Sequence, residues 1–185
     1  MAIRIGCDPE FAVIDNHDSY IRFTYHKNLD CGFVKDDHCG AVGELNPNSS
    51  TNPAEVVENL RTLIKEIKRE YPTLRVIGGG GAKYRISTGG HIHLSGLTNL
   101  DFQGYENYSW HRRSTRNHIR PTTKGNKLVL ALDAFIARPM QRLQNGKRAD
   151  KSYNLLSKIK IKSYSNGSDG FEYRSTPSWL TSPKV

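Results

Sequence analysis

The chain has 185 residues, of which 36% are hydrophobic, with a formal net charge of +9 and a mean hydropathy of −0.62. That length suits a single domain over residues 1–185 with a real core, and the spread of Val, Ile, Leu, Phe and Tyr along it excludes wholesale disorder. No apolar run reaches the roughly 18 to 20 residues needed to span a bilayer. The opening "MAIRIGCDPEF" lacks an apolar signal core, so the expectation is a soluble, cytoplasmic protein with no membrane partner.

In chain order, residues 2–14 read as a strand interrupted by Pro9, which marks an edge, a bulge or a bend because it cannot donate to a ladder. Short strands are expected near 20–25, 31–35 and 40–45, between turn-rich pieces such as "DNHD" and "KDDHCG". Cys7, Cys31 and Cys39 are too few and too unevenly spaced for a disulfide scaffold or a zinc knuckle and read as plain thiols. A helix opens in "STNPAEVVENLRTLIKEIKREY": Asn52 or Thr51 caps it, Pro53 suits the first turn and Glu55 can close a capping box. Its apolar stripe is Val56, Leu60, Leu63, Ile64 and Ile67, so it is a packing element.

"TLRVIGGGG" reads as a strand running into four glycines, and no helix signal follows to make those glycines a phosphate cradle. A second helix is expected over 126–143, bent near Pro139. "SKIKIKSY" and "GFEYRST" close the chain as strands, with "SNGSDG" as the hairpin turn between them. Many short strands with two helices and no regular β–α alternation predict an α+β fold, an antiparallel sheet with helices packed on one face.

Chemistry-bearing residues recur with the strand period of two. In "GGHIHL", His91 and His93 share one face while Ile92 and Leu94 share the other. "CDPEF" puts Asp8 and Glu10 on one face, "GELNP" places Glu44 near the end of a strand, and "GFEYRST" pairs Glu172 with Arg174. Same-face neighbours lie roughly 6.5 to 7 Å apart. Pairing these strands would gather Asp8, Glu10, Glu44, His91, Glu172 and Arg174 on one surface. Taken singly, such pairs are more often solvated faces or weak surface ion pairs; four unlinked segments repeating one device point to a site. Four carboxylates with imidazole suit Mg²⁺ or Mn²⁺, whereas a structural zinc would call for thiolates. An arginine beside such ligands can neutralise charge on a transferring phosphoryl group.

"GCDPEF", "GELNP", "GGHIHL" and "GFEYRSTPSWL", in this order, resemble the phage-type carboxylate–amine ligases, or amidoligases, small members of the glutamine synthetase and glutamate–cysteine ligase superfamily. The resemblance runs from about residue 5 to residue 179 and is weakest over 97–150. It implies a curved antiparallel sheet, like the glutamine synthetase catalytic domain, whose concave face binds ATP with Mg²⁺ or Mn²⁺. On it, Asp8, Glu10, Glu44, His91 and Glu172 are metal ligands, His93 meets phosphate or substrate, and Arg174 grips phosphate. The implied reaction joins a carboxylate, phosphorylated by ATP, to an amine. Either partner could be a small molecule, a peptide end or a modified nucleobase precursor. Relatives that form rings with shared sites make a homo-oligomer the matching expectation, and a phage origin would place the protein in a host cell. Where relatives often read Glu-Leu-Arg-Pro, this chain has Glu44-Leu45-Asn46-Pro47, so one arginine is missing.

Residues 111–127, "HRRSTRNHIRPTTKGNK", hold six cations and no acid. Within the ligase reading they form a loop closing on triphosphate, with Arg112, Arg116 and Lys83 on the nucleotide and Arg120 at the reacting groups; a solvated basic loop is the plainer reading. Net positive charge implies an anionic partner without choosing it. Nearby Tyr105, Tyr108 and Trp110, with Lys158, Lys160 and Lys162 on one strand face, keep open a catalytically idle relative that binds nucleic acid or a protein. A metal-dependent hydrolase built on the histidine face is the third reading.

Overall fold

Strand β1 (Arg4–Ile14) organises the molecule because every residue of it has a use on one side or the other. Its odd-numbered side chains are apolar: Ile5 packs into one hydrophobic cluster, Phe11 and Val13 into another. Its even-numbered positions Gly6, Asp8 and Glu10 therefore look the other way. The computed structural model describes residues 2–37, 42–78, 88–98, 100–102, 124–143, 156–164, 167–176 and 178.

The other strands are β2 (Tyr20–Ile21), β3 (Lys27–Leu29), β4 (Gly32–Asp37), β5 (Val42–Pro47), β6 (Arg75–Ile77), β7 (Gly90–Ser95), β8 (Ile159–Ser163) and β9 (Asp169–Tyr173). Among the described residues they form one open sheet in the order β3-β4-β5-β1-β7-β9-β8, with β2 and β6 pairing the end of β1. Every pairing is antiparallel. Pro9 lies in an interior strand, not at an edge. It is tolerated because β7 lines one edge of β1 from Arg4 to Pro9 while β5, on the opposite edge, pairs only from Glu10 onward, so Pro9 stands just outside the β5 ladder.

Helix α1 (Pro53–Glu70) is capped by Asn52, whose side chain accepts from the Ala54 amide at 3.0 Å. The capping box closes through a relay: the Ser50 hydroxyl donates to Glu55 at 2.5 Å and accepts from the Asn52 amide. Val56, Leu60, Leu63 and Ile67 are buried, and Ile64 is half-buried. Leu60, Leu63 and Ile67 join Phe11, Val13, Phe23, Val34 and Leu45 in the first core. Gly43 is required there, since a β-carbon would collide with the Phe11 ring.

The second helix starts at Lys124, earlier than expected, so the last four residues of the basic segment are helical. It runs as α2 (Lys124–Leu132), a π-helical turn (Asp133–Ala137) and α3 (Arg138–Leu143). The π-turn ends two residues before Pro139. Proline cannot donate and its ring crowds the carbonyl one turn back, so a widened turn relieves the clash. Val129 and Ala137 pack with Leu94, Phe102, Ile159, Phe171 and Tyr173 in the second core. Both helices thus cover the face that Ile5, Phe11 and Val13 occupy, leaving the Asp8 face to the site. This is the α+β arrangement expected, with shifts in detail: β3 was not anticipated, pairing near 20–25 is limited to Tyr20 and Ile21, and the next two strands extend to Asp37 and Pro47. No helix among the described residues is long and apolar enough to cross a membrane.

Candidate metal centre

The register assembles the expected side chains. Asp8 on β1 stands opposite His91 on β7, His93 opposite Glu172 on β9, and Glu10 opposite Glu44 on β5. Asp8, Glu10, Glu44, His91 and Glu172 are all buried. Two groups of three ligands result, Asp8–His91–Glu172 and Glu10–Asp37–Glu44, each with ligand atoms within 4.8 Å of one another.

In the first group, His91 Nδ1 lies 3.0 Å from Asp8 Oδ1 and 3.2 Å from Glu172 Oε1. A ring nitrogen carries one proton at most, so it cannot serve both carboxylates. The Asp8 contact also lacks hydrogen-bond alignment. For an ion bound at 2.0–2.1 Å in octahedral geometry, adjacent ligand atoms sit about 3 Å apart, and the two spacings His91 makes match that. The set therefore fits a Mg²⁺- or Mn²⁺-sized cation.

The second group makes the same point by repulsion. Like charges directly opposite on neighbouring strands destabilise a sheet, and Glu10 and Glu44 are buried as well. Local donors position them: the Gly89 amide donates to Glu10 Oε2 at 2.6 Å, and the Asn46 side chain donates to Glu44 Oε1 at 2.7 Å. Asn46 thus orients a carboxylate two residues back on its own strand.

Electrostatics separate the acids. Burial raises the Asp8 carboxyl, yet the His91 and His93 imidazoles outweigh it and hold it well below the usual carboxylate range. Burial likewise raises Glu172, but the Lys162 ammonium, Arg174 and His91 bring it below its ordinary value. Glu10 goes the other way: burial raises it, Asp37 and Glu44 add to the rise, and the Gly89 amide and His91 only partly oppose it. Arg174 Nη1 holds Glu172 Oε1 at 2.5 Å, as the shared face predicted. His93 Nε2 meets Asp8 Oδ2 at 3.0 Å, with the Tyr164 hydroxyl 3.3 Å from its Nδ1.

Sequence reasoning missed four participants. Asp37 completes the second group, Lys35 Nζ lies 3.0 Å from Glu44, Lys162 Nζ lies 2.7 Å from Glu172, and Tyr164 backs His93. The signal for the first two was present: Lys35 and Asp37 alternate in "VKDD" on a strand that hairpins onto Glu44. Lys162 was grouped with Lys158 and Lys160 as a nucleic-acid patch, and the structure turns it inward. It stands opposite Gly170, which presents no side chain, so it reaches diagonally to Glu172. Lys83, Arg112, Arg116 and Arg120 lie outside the described residues, as do His38, Cys39, the glycines at 79–81, and Tyr105, Tyr108, Trp110 and Trp179. Cys7 is half-buried, its thiol pushed up to about 12 by burial and by Asp8, and Cys31 packs against the first core.

No curated protein matches the chain at a significant level. One family model does, over residues 5–103, more than half of the chain. The matched stretch carries Asp8, Glu10, Asp37, Glu44, His91 and His93; Glu172, Arg174 and Lys162 come to the same face from beyond it. The chain belongs to the phage phiEco32-like COOH.NH2 ligase-type 2 family.

Proposed function

We propose that the protein is an ATP- and divalent-metal-dependent carboxylate–amine ligase that forms an amide bond through an acyl phosphate. The observation that carries this reading is the pair of three-ligand groups side by side on one sheet face. A carboxylate resists attack by an amine until it has a leaving group. Phosphorylation provides one, but it draws a carboxylate and a triphosphate together, and that repulsion has to be screened. Bound Mg²⁺ or Mn²⁺ would supply the screening charge.

Asp8, His91 and Glu172 would hold one ion, and Glu10, Asp37 and Glu44 the other. The protein's own groups do the rest. Arg174, itself half-buried, carries a fixed guanidinium on the same face and suits a phosphate oxygen. Asp8 stays ionised because of its imidazole neighbours, so its oxygens remain available as ligands near neutral pH. His93, between Asp8 Oδ2 and Tyr164, sits at the rim of the first group and orients the Asp8 carboxylate.

The test is calorimetric titration of ATP with and without Mg²⁺, in wild type and in Glu172→Ala, followed by phosphate release with candidate carboxylates and amines. Binding that needs both the metal and Glu172 is the expected result. Equal ATP binding in the variant, or none under any condition, overturns the reading.

A further inference from the structure

The two carboxylate groups are each held by a lysine that belongs to neither. Lys35 reaches Glu44 Oε1 from β4, and Lys162 reaches Glu172 Oε2 from β8, on opposite flanks of the site. Both lysine side chains are about one-third exposed, at 38% and 32%, while the carboxylates they touch are 10% and 3% exposed. A buried carboxylate needs a compensating cation, and an ammonium on a flexible four-carbon stem is the kind that can leave. Arg174, at 13% exposure, is far more enclosed.

We propose that Lys35 and Lys162 are exchangeable counter-ions. Each neutralises one carboxylate when no divalent cation is bound. Each is displaced by that cation and then turns to the anionic ligand on the same face. The inference rests on the ligase reading and assigns it two residues beyond the ligand set. A divalent ion brings twice the charge to the same oxygens, so lysine and metal compete for Glu44 and Glu172. The released ammonium groups stay tethered within one side-chain length, where a triphosphate or acyl phosphate needs positive charge. Binding of metal and of anion would then be coupled through two side chains.

The experiment measures two affinities in wild type, Lys35→Met and Lys162→Met: Mn²⁺ by the spin-resonance signal of the free ion, and ATP with Mg²⁺ by calorimetry. Each Met variant should bind Mn²⁺ about three- to tenfold tighter and ATP about tenfold weaker. Lys→Arg variants should restore the ATP side. A merely structural role would weaken both together. On the unmodified protein, Mn²⁺ should raise the acylation of Lys35 and Lys162 read by mass spectrometry, and added ATP should lower it again. Unchanged Mn²⁺ affinity in both Met variants, with acylation indifferent to Mn²⁺, overturns the counter-ion role while the ligase reading stands. Failure of the wild type to bind Mn²⁺ overturns both.

Discussion

Glu10 and Glu44 face each other directly across neighbouring strands, and both are buried. Without a divalent ion this juxtaposition is unfavourable, and burial raises the Glu10 carboxyl pKa, with Asp37 and Glu44 adding to the rise. Folding therefore favours the protonated form of Glu10 more than the unfolded chain does. The destabilisation is absent below the unfolded value near about 4.3, grows as pH rises to the folded value, and persists above it. Glu10→Gln can still accept from the Gly89 amide. In chelator it should be more stable than wild type at pH 7 by about 1 kcal/mol and equal to it near pH 4, read by urea denaturation. With Mn²⁺ present the order should reverse, because the variant has lost a ligand.

Asp8 gives the opposite pH signature. Its carboxyl is held low despite burial, so its stabilising share is full above the unfolded value near about 3.9 and disappears as pH falls through the folded one. Asp8→Asn should be less stable than wild type at pH 6 by about 1–3 kcal/mol, with the two converging in acid. Acid denaturation of both proteins in chelator checks this. A constant offset down to the acid limit would show that the imidazoles do not hold Asp8.

Which of these features the sequence discloses depends on how local the cause is. Alternation along a strand is local, so the shared faces of Asp8 with Glu10, of His91 with His93, and of Glu172 with Arg174 could be read before any fold was known. Register is not local. Nothing within "SKIKIKSY" says that Lys162 will stand opposite a glycine and lean onto Glu172, so it read as one cation of a basic patch. Asp37 was overlooked because the strand was ended two residues early, inside a turn-rich string. Pro9 reads as an edge, a bulge or a bend, and nothing in composition marks that the β5 ladder begins only at Glu10.

His93 offers a test of the hydrogen-bond pattern. Its Nε2 faces the ionised Asp8 oxygen at 3.0 Å and must donate, which leaves Nδ1 toward the Tyr164 hydroxyl. Tyr164 also approaches the Phe171 carbonyl at 3.1 Å, so its single proton is shared between two acceptors while His93 is neutral. Imidazole nitrogen resonances should report the Nε2–H tautomer. Tyr164→Phe should shift the Nδ1 signal and lower stability by about 1 kcal/mol. An Nδ1–H tautomer in wild type would contradict the arrangement.

The π-turn predicts the largest loss of stability. Asp133 sits in it, buried, and its carboxylate accepts the Ser157 amide at 2.8 Å, the Ser157 hydroxyl, and the Tyr173 hydroxyl at 2.5 Å. One side chain therefore ties the second helix both to the entry of β8 and to β9, next to Glu172. Asp133→Ala removes the acceptor of three donors at once and should cost about 3–5 kcal/mol. Asp133→Asn keeps one oxygen and should cost less. Because Tyr173 adjoins Glu172, the Asn variant, if folded, should also bind Mn²⁺ more weakly than wild type although Asp133 belongs to neither ligand group. Urea denaturation and Mn²⁺ titration of the same samples separate the two effects. Loss of stability with unchanged Mn²⁺ affinity would make the π-turn an anchor for the core alone.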